Sequence, residues 1–395
     1  MTNKHIVIAV TGGIAAYKSA FLVSSLSKQG YEVQVLMTKS ACEFISPLTF
    51  ETLSKRKVYT DVFVNEETPF VRHIELAKWA DLFVVAPASA NTISKITYGM
   101  ADNMLTSSFL AATCPKLLVP AMNSHMLENP ITQHNLKTLE AYGISVMESE
   151  TGLLACGDVG KGKFPEIELI VEEIERLLTT KKDLLGKTVL ISAGPTQEAL
   201  DPVRYLTNHS SGKMGYALAK EARNRGARVY LVSGCVSLAF PKDIEVISVQ
   251  SAKEMEVSML SHFEQADITI MAAAVADYRP VNIYKEKIKK QDSGWALSLE
   301  RTMDILATLG TRKKEHQILI GFAMETENLL KNAQEKLIKK KCDYLIANSI
   351  HELGSGFQGD TNHGYLLSKN GQTDFGLLTK KELAEKIFDQ INKGD

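Results

Sequence analysis

Residues 153–166, LLACGDVGKGKFPE, set one cysteine, Cys156, in a loop with Gly152 before it and three more glycines after it. No second cysteine lies near enough to suggest a metal clamp. An unpaired cysteine is most often a small hydrophobe at a turn, so a thiol among glycines raises a question that other residues must answer. Asn123 follows an apolar run in VPAMNSHM, and an amide can bind a carboxylate or an amide carbonyl. His73 opens HIELAKWA; a lone histidine at a helix start is more often structural than catalytic. TGGIAAYK (11–18) puts Gly12 and Gly13 between a strand and a helix. Such a pair lets the backbone approach a phosphate, and equally makes a tight turn. Thr38 and Ser40 in VLMTKS offer hydroxyls where a dinucleotide site would place an acidic residue. Ser89, Asn91 and Thr92 cluster in APASANTISK, with Asn91 a candidate helix cap.

The second half carries a different set. SSGKMG resembles a P-loop only superficially, since Met214 stands where Ser or Thr is required and Thr207 where the first glycine belongs. Ser210, Ser211 and Gly212 at a helix start can still hold an anion, or simply cap. Asp277 in MAAAVADYRP follows a buried strand, where it could bind ribose, a base or a metal-bound phosphate. Lys287, Lys289 and Lys290 form a basic run, which is usually a solvated face. Lys336 and Lys340 share a helix face.

These residues need rigid elements behind them. HIVIAV (5–10), EVQVLMT (32–38), DLFVVAPA (81–88) and KLLVPAM (116–122) read as buried strands alternating with helices, the first helix running from Ile14 to Gln29. The pattern restarts with KTVLISAG (187–194), RVYLVSG (228–234), DITIMAAAV (267–275), ILIGFAM (318–324) and DYLIANS (343–349). Helices are expected at about 212–225, 251–265, 328–341 and 379–392. The fold class is α/β: two doubly wound, mostly parallel, Rossmann-like domains, the second with a C-terminal hairpin. Asn370-Gly371 suits a type I′ turn in that hairpin. The polar, basic stretch 177–187 places the boundary near residue 182, giving domains 1–181 and 182–395.

The chain has 395 residues, 45% hydrophobic and 23% charged, with a formal net charge of −1. No global field favours nucleic acid or membrane, and the apolar runs are too short to span a bilayer. Five widely spaced cysteines argue against a disulfide framework or a structural zinc. With no leader pattern at the N-terminus, a cytoplasmic protein with reduced thiols is expected.

TGGIAAYK, RHIELAKWADLFVVAPASANTISK, PAMNSHM and LLACGDVGKGK occur in order. Together they resemble the flavin-dependent cysteine decarboxylases, specifically the phosphopantothenoylcysteine decarboxylase half of the bifunctional coenzyme A biosynthesis proteins. The resemblance implies FMN held by Gly12, Gly13, Ile14, Thr38, Ser40, Ser89, Ala90, Asn91, Thr92 and Ala121. It implies that Cys156 is the acid, that Asn123 binds the substrate carboxylate and that His73 assists oxidative decarboxylation. The thiol on a glycine loop then has a purpose: a closing flap can deliver a proton after carbon dioxide has left.

SAGPTQEALDPVRYLTNHSSGKMG, AAAVADYRP, EKIKK and GFAMET resemble the phosphopantothenate–cysteine ligase half of the same family. That implies CTP and Mg²⁺, an acyl-cytidylate, and attack by the cysteine amine. Asn208 would assist with the acyl-cytidylate and Lys287 would stabilise charge; the metal ligands are not legible. Arg204 and Ala274 would meet the pantothenate substrate. Met271, Ala272, Ala273, Asp277, Lys287, Met303, Asp304, Ile305, Leu306, Phe322, Lys336 and Lys340 would surround CTP. RTMDIL (301–306) stands where relatives carry Asn-Pro before the Asp. The implied partners are small molecules, with trimeric flavin domains and dimeric ligase domains. A flavin-binding redox sensor with a degenerate second domain is the reading from another class. A dinucleotide-dependent dehydrogenase is disfavoured by the missing acidic residue.

Overall fold

The computed structural model describes residues 4–63, 71–155, 157–289, 295–325, 328–349, 356 and 359–393. The chain divides into two compact units, Met1–Thr180 and Lys181–Asp395. No described helix is long and apolar enough to cross a membrane.

In the first unit, β1 (His5–Val10), β2 (Glu32–Met37), β3 (Leu82–Ala88), β4 (Lys116–Pro120) and β5 (Ser145–Val146) lie in the order β2-β1-β3-β4-β5, every pair parallel. Strand side chains alternate between faces, so both faces must be apolar when helices cover both. Ile6, Ile8 and Val10 of β1 join one core cluster, and Val7 and Ala9 join the other. The helix expected from Ile14 to Gln29 begins as a 3₁₀ turn, Ile14–Tyr17, and becomes α-helical over Lys18–Lys28. A separate antiparallel hairpin is formed by β6 (Glu150–Leu153) and β7 (Val159–Lys163).

The second unit contains β8 (Thr188–Ala193), the short antiparallel pair β9 (Glu198–Ala199) and β10 (Tyr205–Leu206), β11 (Arg228–Ser233), β12 (Glu245–Ser248) and β13 (Ile268–Met271). After these come the pair β14 (Tyr278–Pro280) and β15 (Leu299–Arg301), then β16 (Ile318–Glu325), β17 (Tyr344–Ser349), β18 (Thr361–Ser368) and β19 (Gln372–Thr379). The main sheet runs β12-β11-β8-β13-β16-β17-β18-β19, parallel through β17 and antiparallel beyond it. Again the strands alternate: Val189 and Ile191 enter one core and Leu190 the other.

Two local expectations fail for physical reasons. The strand expected through Val275 stops at Met271, where pairing with β16 ends, while Ala274 keeps the β8 register as an isolated parallel bridge to Pro195. Ala272 N–H donates to Ser192 O (3.2 Å), Ala273 N–H to Ser192 Oγ (3.1 Å) and Ala274 N–H to Gly194 O (2.9 Å). The β18–β19 turn is not type I′, which needs positive φ at both central residues. Gly371 has φ +155°, whereas Asn370 is not among the described positive-φ residues. Ser368 N–H instead donates to Gly371 O at 2.9 Å, continuing the Leu367–Gln372 register, so Lys369 and Asn370 are the turn's central residues.

Candidate active sites

In an open parallel sheet, ligands collect beyond the carboxyl ends of the strands where the strand order reverses. In the first unit that point lies between β1 and β3. A cleft of ≈ 470 Å³ opens there, lined by Gly12, Thr38, Ser40, Ser89, Ala90, Asn91 and Thr92, among others. Thr11, wholly buried, joins the two strand ends. Its hydroxyl donates to Pro87 O (2.7 Å) and accepts from Ser89 N–H (2.9 Å). At Gly12 an added Cβ would lie 2.5 Å from the Ser40 Cβ, so only glycine lets these two loops meet. Ser89, not Asn91, caps the helix Ala90–Thr97, its Oγ accepting from Thr92 N–H at 3.4 Å. Thr38 caps Lys39–Cys42 in the same way, accepting from Ala41 N–H at 3.2 Å.

The same cleft includes residues the motifs did not single out: Lys39, Thr60, Asp61, Lys95, Asp102, Asn103 and Met126. Its charges are internally matched. Lys39 pairs with Asp61 (3.3 Å) and Lys95 with Asp102 (2.5 Å). Asp61 is held below the usual carboxylate range by the Phe63 N–H and then by Lys39; Asp102 is held down chiefly by Lys95. The wall is thus rich in hydroxyls and helix-start N–H groups, with its ions paired. That donor set fits the phosphate and polyol of a flavin mononucleotide. Gly13, Ile14, Ala121, His73 and Asn123 are not among the described lining residues. His73 is the half-buried second residue of the helix Arg72–Trp79.

Asn123 caps Ser124–Glu128, its Oδ1 accepting from His125 N–H at 2.9 Å. The β6–β7 hairpin grips this same segment. Met122 N–H donates to Gly162 O at 3.1 Å. A Cβ on Gly162 (φ +136°) would lie 2.1 Å from Met122 O, and one on Gly160 would lie 2.2 Å from Ser124 Oγ. These glycines therefore permit close docking of the hairpin stem, a job beyond the flap flexibility expected of them. At the tip, Leu154 N–H donates to Asp158 O (2.8 Å) and Gly157 N–H to Leu154 O (2.9 Å). Cys156 belongs to this tip but lies outside the described residues. Burial pushes the thiols of Cys42, Cys114, Cys235 and Cys342 up, Cys342 to about 12.

In the second unit the order reverses between β8 and β13, and a cleft of ≈ 170 Å³ lies there. Its lining joins Ser210–Gly215 at the start of the helix Lys213–Asn224 to Ala272, Ala273, Ala274 and Phe322. Gly212 (φ +77°) caps that helix, and a Cβ at Gly215 would lie 2.5 Å from the Ala193 Cβ. The SSGKMG glycines thus serve a left-handed cap and tight packing of helix on strand. The C-terminal hairpin and helix, from which the motifs gave nothing, supply Asn362 and Lys380 to this cleft; Asn348 comes from the end of β17. Lys380 is buried, and its Nζ donates to Gly359 O (2.5 Å) and Gly356 O (3.3 Å). Burial first, and then Lys213, lower its pKa to about 8.

Asn208 braces the cleft's edge: Nδ2 donates to Ala274 O (2.6 Å) and Oδ1 accepts from Ser210 N–H (3.0 Å). Met271, Asp277, Lys287, Arg204, Met303–Leu306, Lys336 and Lys340 lie outside the described lining. Met271 is in the core, Asp277, Lys287, Met303 and Lys336 are exposed, and Ile305 is buried with Leu306 packed beside it. Two expected nucleotide residues meet each other: Lys340 pairs with Asp304, which also caps Ile305–Arg312 by accepting from Ala307 N–H at 2.9 Å. Among the described residues no cluster of three or more His, Cys, Asp or Glu could hold a metal.

Comparison with known proteins agrees with this division. The family model "Flavoprotein" matches residues 1–179, and "DNA/pantothenate metabolism flavoprotein C-terminal domain" matches 184–394. The chain is 47% identical over 395 residues to the Coenzyme A biosynthesis bifunctional protein CoaBC of Bacillus subtilis (strain 168), covering 99% of this chain and 97% of that one. It is 42% identical over 391 residues to the protein of the same name from Haemophilus influenzae, covering 99% and 98%. A crystal structure of the C-terminal domain of a CoaBC protein is 43% identical, with a TM-score of 0.47, over 54% of this chain and 97% of that one. With near-complete coverage of both chains at this identity, the chain belongs to the family of bifunctional coenzyme A biosynthesis proteins.

Proposed function

We propose that residues 182–395 join cysteine to 4′-phosphopantothenate using CTP, and that residues 1–181 decarboxylate the resulting phosphopantothenoylcysteine to 4′-phosphopantetheine with FMN. The observation that carries the decarboxylase assignment is the hairpin bearing Cys156, docked through Gly160 and Gly162 on the segment bearing Asn123. FMN, held in the cleft lined by Gly12, Thr38, Ser40, Ser89 and Thr92, would supply reversible hydride transfer at the thiol-bearing carbon of the substrate. Asn123 has its Oδ1 engaged by His125 N–H, so its amide N–H groups are the end suited to a carboxylate. Asn123 orients that carboxylate for departure. Cys156 then donates a proton to the carbon that carried it, as the hairpin tip excludes water. His73 assists the oxidative step from a subunit interface in a trimer. Val71 and Ile74 beside it are 56% and 37% exposed, which suits burial against another copy.

In the ligase, Ser210–Gly215, Lys213 and Lys380 supply N–H groups and positive charge for a polyphosphate. Ala272–Ala274 leave room for a flat base beside Phe322. The Asp304–Lys340 pair, Asp277 and Lys336 contribute to holding the nucleotide. Mg²⁺ would screen the polyphosphate charge, and as a small hard cation it would be held chiefly by phosphate oxygens and water. Lys287 stabilises charge as pyrophosphate leaves, Asn208 steadies the acyl-cytidylate, and Arg204 and Ala274 meet the pantothenate substrate, with pairing of two ligase units.

Mass-resolved product analysis tests this. With phosphopantothenate, CTP, Mg²⁺ and cysteine the protein should yield phosphopantetheine; without CTP it should yield none. Supplied phosphopantothenoylcysteine should be converted with no nucleotide. Failure of that last reaction in flavin-loaded protein would overturn the decarboxylase assignment.

A further inference from the structure

The loop that carries Lys287 is tied down by a buried carboxylate that none of the proposed chemistry uses. The Asp201 side chain is completely inaccessible to solvent. Its Oδ1 accepts from Val203 N–H (2.8 Å) and Arg204 N–H (2.9 Å), closing the turn between β9 and β10. Its Oδ2 accepts from Arg204 Nε (2.9 Å) and Nη2 (2.5 Å), and also from Ile288 N–H (3.1 Å). Arg204 Nη2 donates in addition to Ile288 O at 2.8 Å. Both backbone polar groups of Ile288 are thereby held by one ion pair far away in sequence. A second tie, Tyr284 N–H to Leu200 O at 2.9 Å, fixes the start of the same loop.

We infer that Asp201 is a positioning residue for the ligase: through Arg204 and Ile288 it sets where Lys287 is presented. This rests on the ligase reading above. A turn needs only the two bonds from Val203 and Arg204; the Ile288 bonds do nothing for the turn and span to the neighbouring residue of Lys287. The carboxylate is suited to the task. Arg204 first, and then the backbone N–H groups, hold its pKa far below the usual range, so it stays ionised across the working pH. Arg204 carries five N–H donors. Those on Nε and Nη2 serve the strap; with the substrate role proposed above for Arg204, one guanidinium would link substrate to the Lys287 loop.

Asp201→Asn tests the inference, because an amide nitrogen cannot accept these bonds. Trypsin under native conditions should cut after Lys285, Lys287 or Lys289 at least about tenfold faster than in the parent, as local opening becomes cheaper. Ligase kcat should fall, while decarboxylation of supplied phosphopantothenoylcysteine stays at the parent rate. Asp201→Asn added to Lys287→Gln should slow the ligase little beyond Lys287→Gln alone, since both act through one group. Multiplying effects with unchanged trypsin cleavage would overturn the inference and leave Asp201 a turn residue. Should Asp201→Asn fail to fold, Arg204→Lys leaves the turn bonds intact and removes the planar fork; it must then accelerate cleavage for the inference to stand. If Lys287→Gln keeps the parent ligase rate, the ligase reading of Lys287 fails, and with it the functional part of the inference, whereas the trypsin result still judges the strap.

Discussion

The two clefts obey one rule of sheet architecture and differ in the chemistry of their walls. Each lies beyond the carboxyl ends of parallel strands where strand order reverses, between β1 and β3 in one unit and between β8 and β13 in the other. The first presents hydroxyls, with its lysines spent on Asp61 and Asp102. The second gathers Lys213, paired with Asp360 (2.6 Å), and the buried Lys380 around a helix start. A cofactor kept through many turnovers calls for a neutral cradle that fits it closely. A triphosphate bound and cleaved in each turnover calls for positive charge that stabilises the leaving pyrophosphate. The fold decides where a ligand sits, and the side chains decide what happens to it.

The sharpest way to separate the clefts is Cys156→Ser. A hydroxyl is a far weaker acid than a thiol, so final protonation should slow on the order of a hundredfold or more. An oxidised ene-thiol product lacking two hydrogens should accumulate, with ligation unchanged. A normal yield of phosphopantetheine would remove Cys156 from the mechanism. The mirror-image variant is Lys287→Gln, expected to slow ligation on the order of a hundredfold while sparing decarboxylation. Lys289→Gln should do less. A smaller effect is expected at Gly162→Ala, where the new methyl collides with Met122 O. Displacing the hairpin stem should lower decarboxylation by roughly tenfold and leave ligation intact, because misplacement of about 1 Å costs up to about a hundredfold. Full decarboxylation by that variant would show that hairpin docking does not matter.

The weakest effect concerns pH. The pKa of Lys380 in the folded protein, about 8, lies below its ordinary value. Its charge is therefore present at lower pH and is lost as pH rises through about 8. KM for CTP should rise a few-fold across that range, and Lys380→Met should flatten the profile. An unchanged profile in the variant would detach Lys380 from the nucleotide.

Much of this was legible because periodicity and turn chemistry are local. Alternating buried strands marked both sheets, and Gly12, in the pair after HIVIAV, marked the first cleft. Asn348, Asn362 and Lys380 were hidden for a different reason: they come together only when β17, β18 and the last helix close one wall. Thr11 was hidden too, since a hydroxyl pinning two strand ends looks like any threonine after a strand. DITIMAAAV (267–275) reads as one strand because a short continuous apolar run suits a buried strand; its end at Met271 is set by the loss of pairing with β16, while Ala272 and Ala274 stay bonded to Ser192 O and Gly194 O and Ala273 N–H turns to Ser192 Oγ. Asn370 is a turn residue, but the strand register centres the turn on Lys369 and Asn370, one position before the expected pair.

The most direct test of two independent sites in one chain is a parallel assay of Cys156→Ser and Lys287→Gln. Ligation would be followed by pyrophosphate release, and decarboxylation by phosphopantetheine formed from supplied phosphopantothenoylcysteine. Each variant should lose one step and retain the other at the parent rate, and a mixture of the two should restore phosphopantetheine from phosphopantothenate and cysteine. Loss of both steps in either folded, flavin-loaded variant would contradict the account.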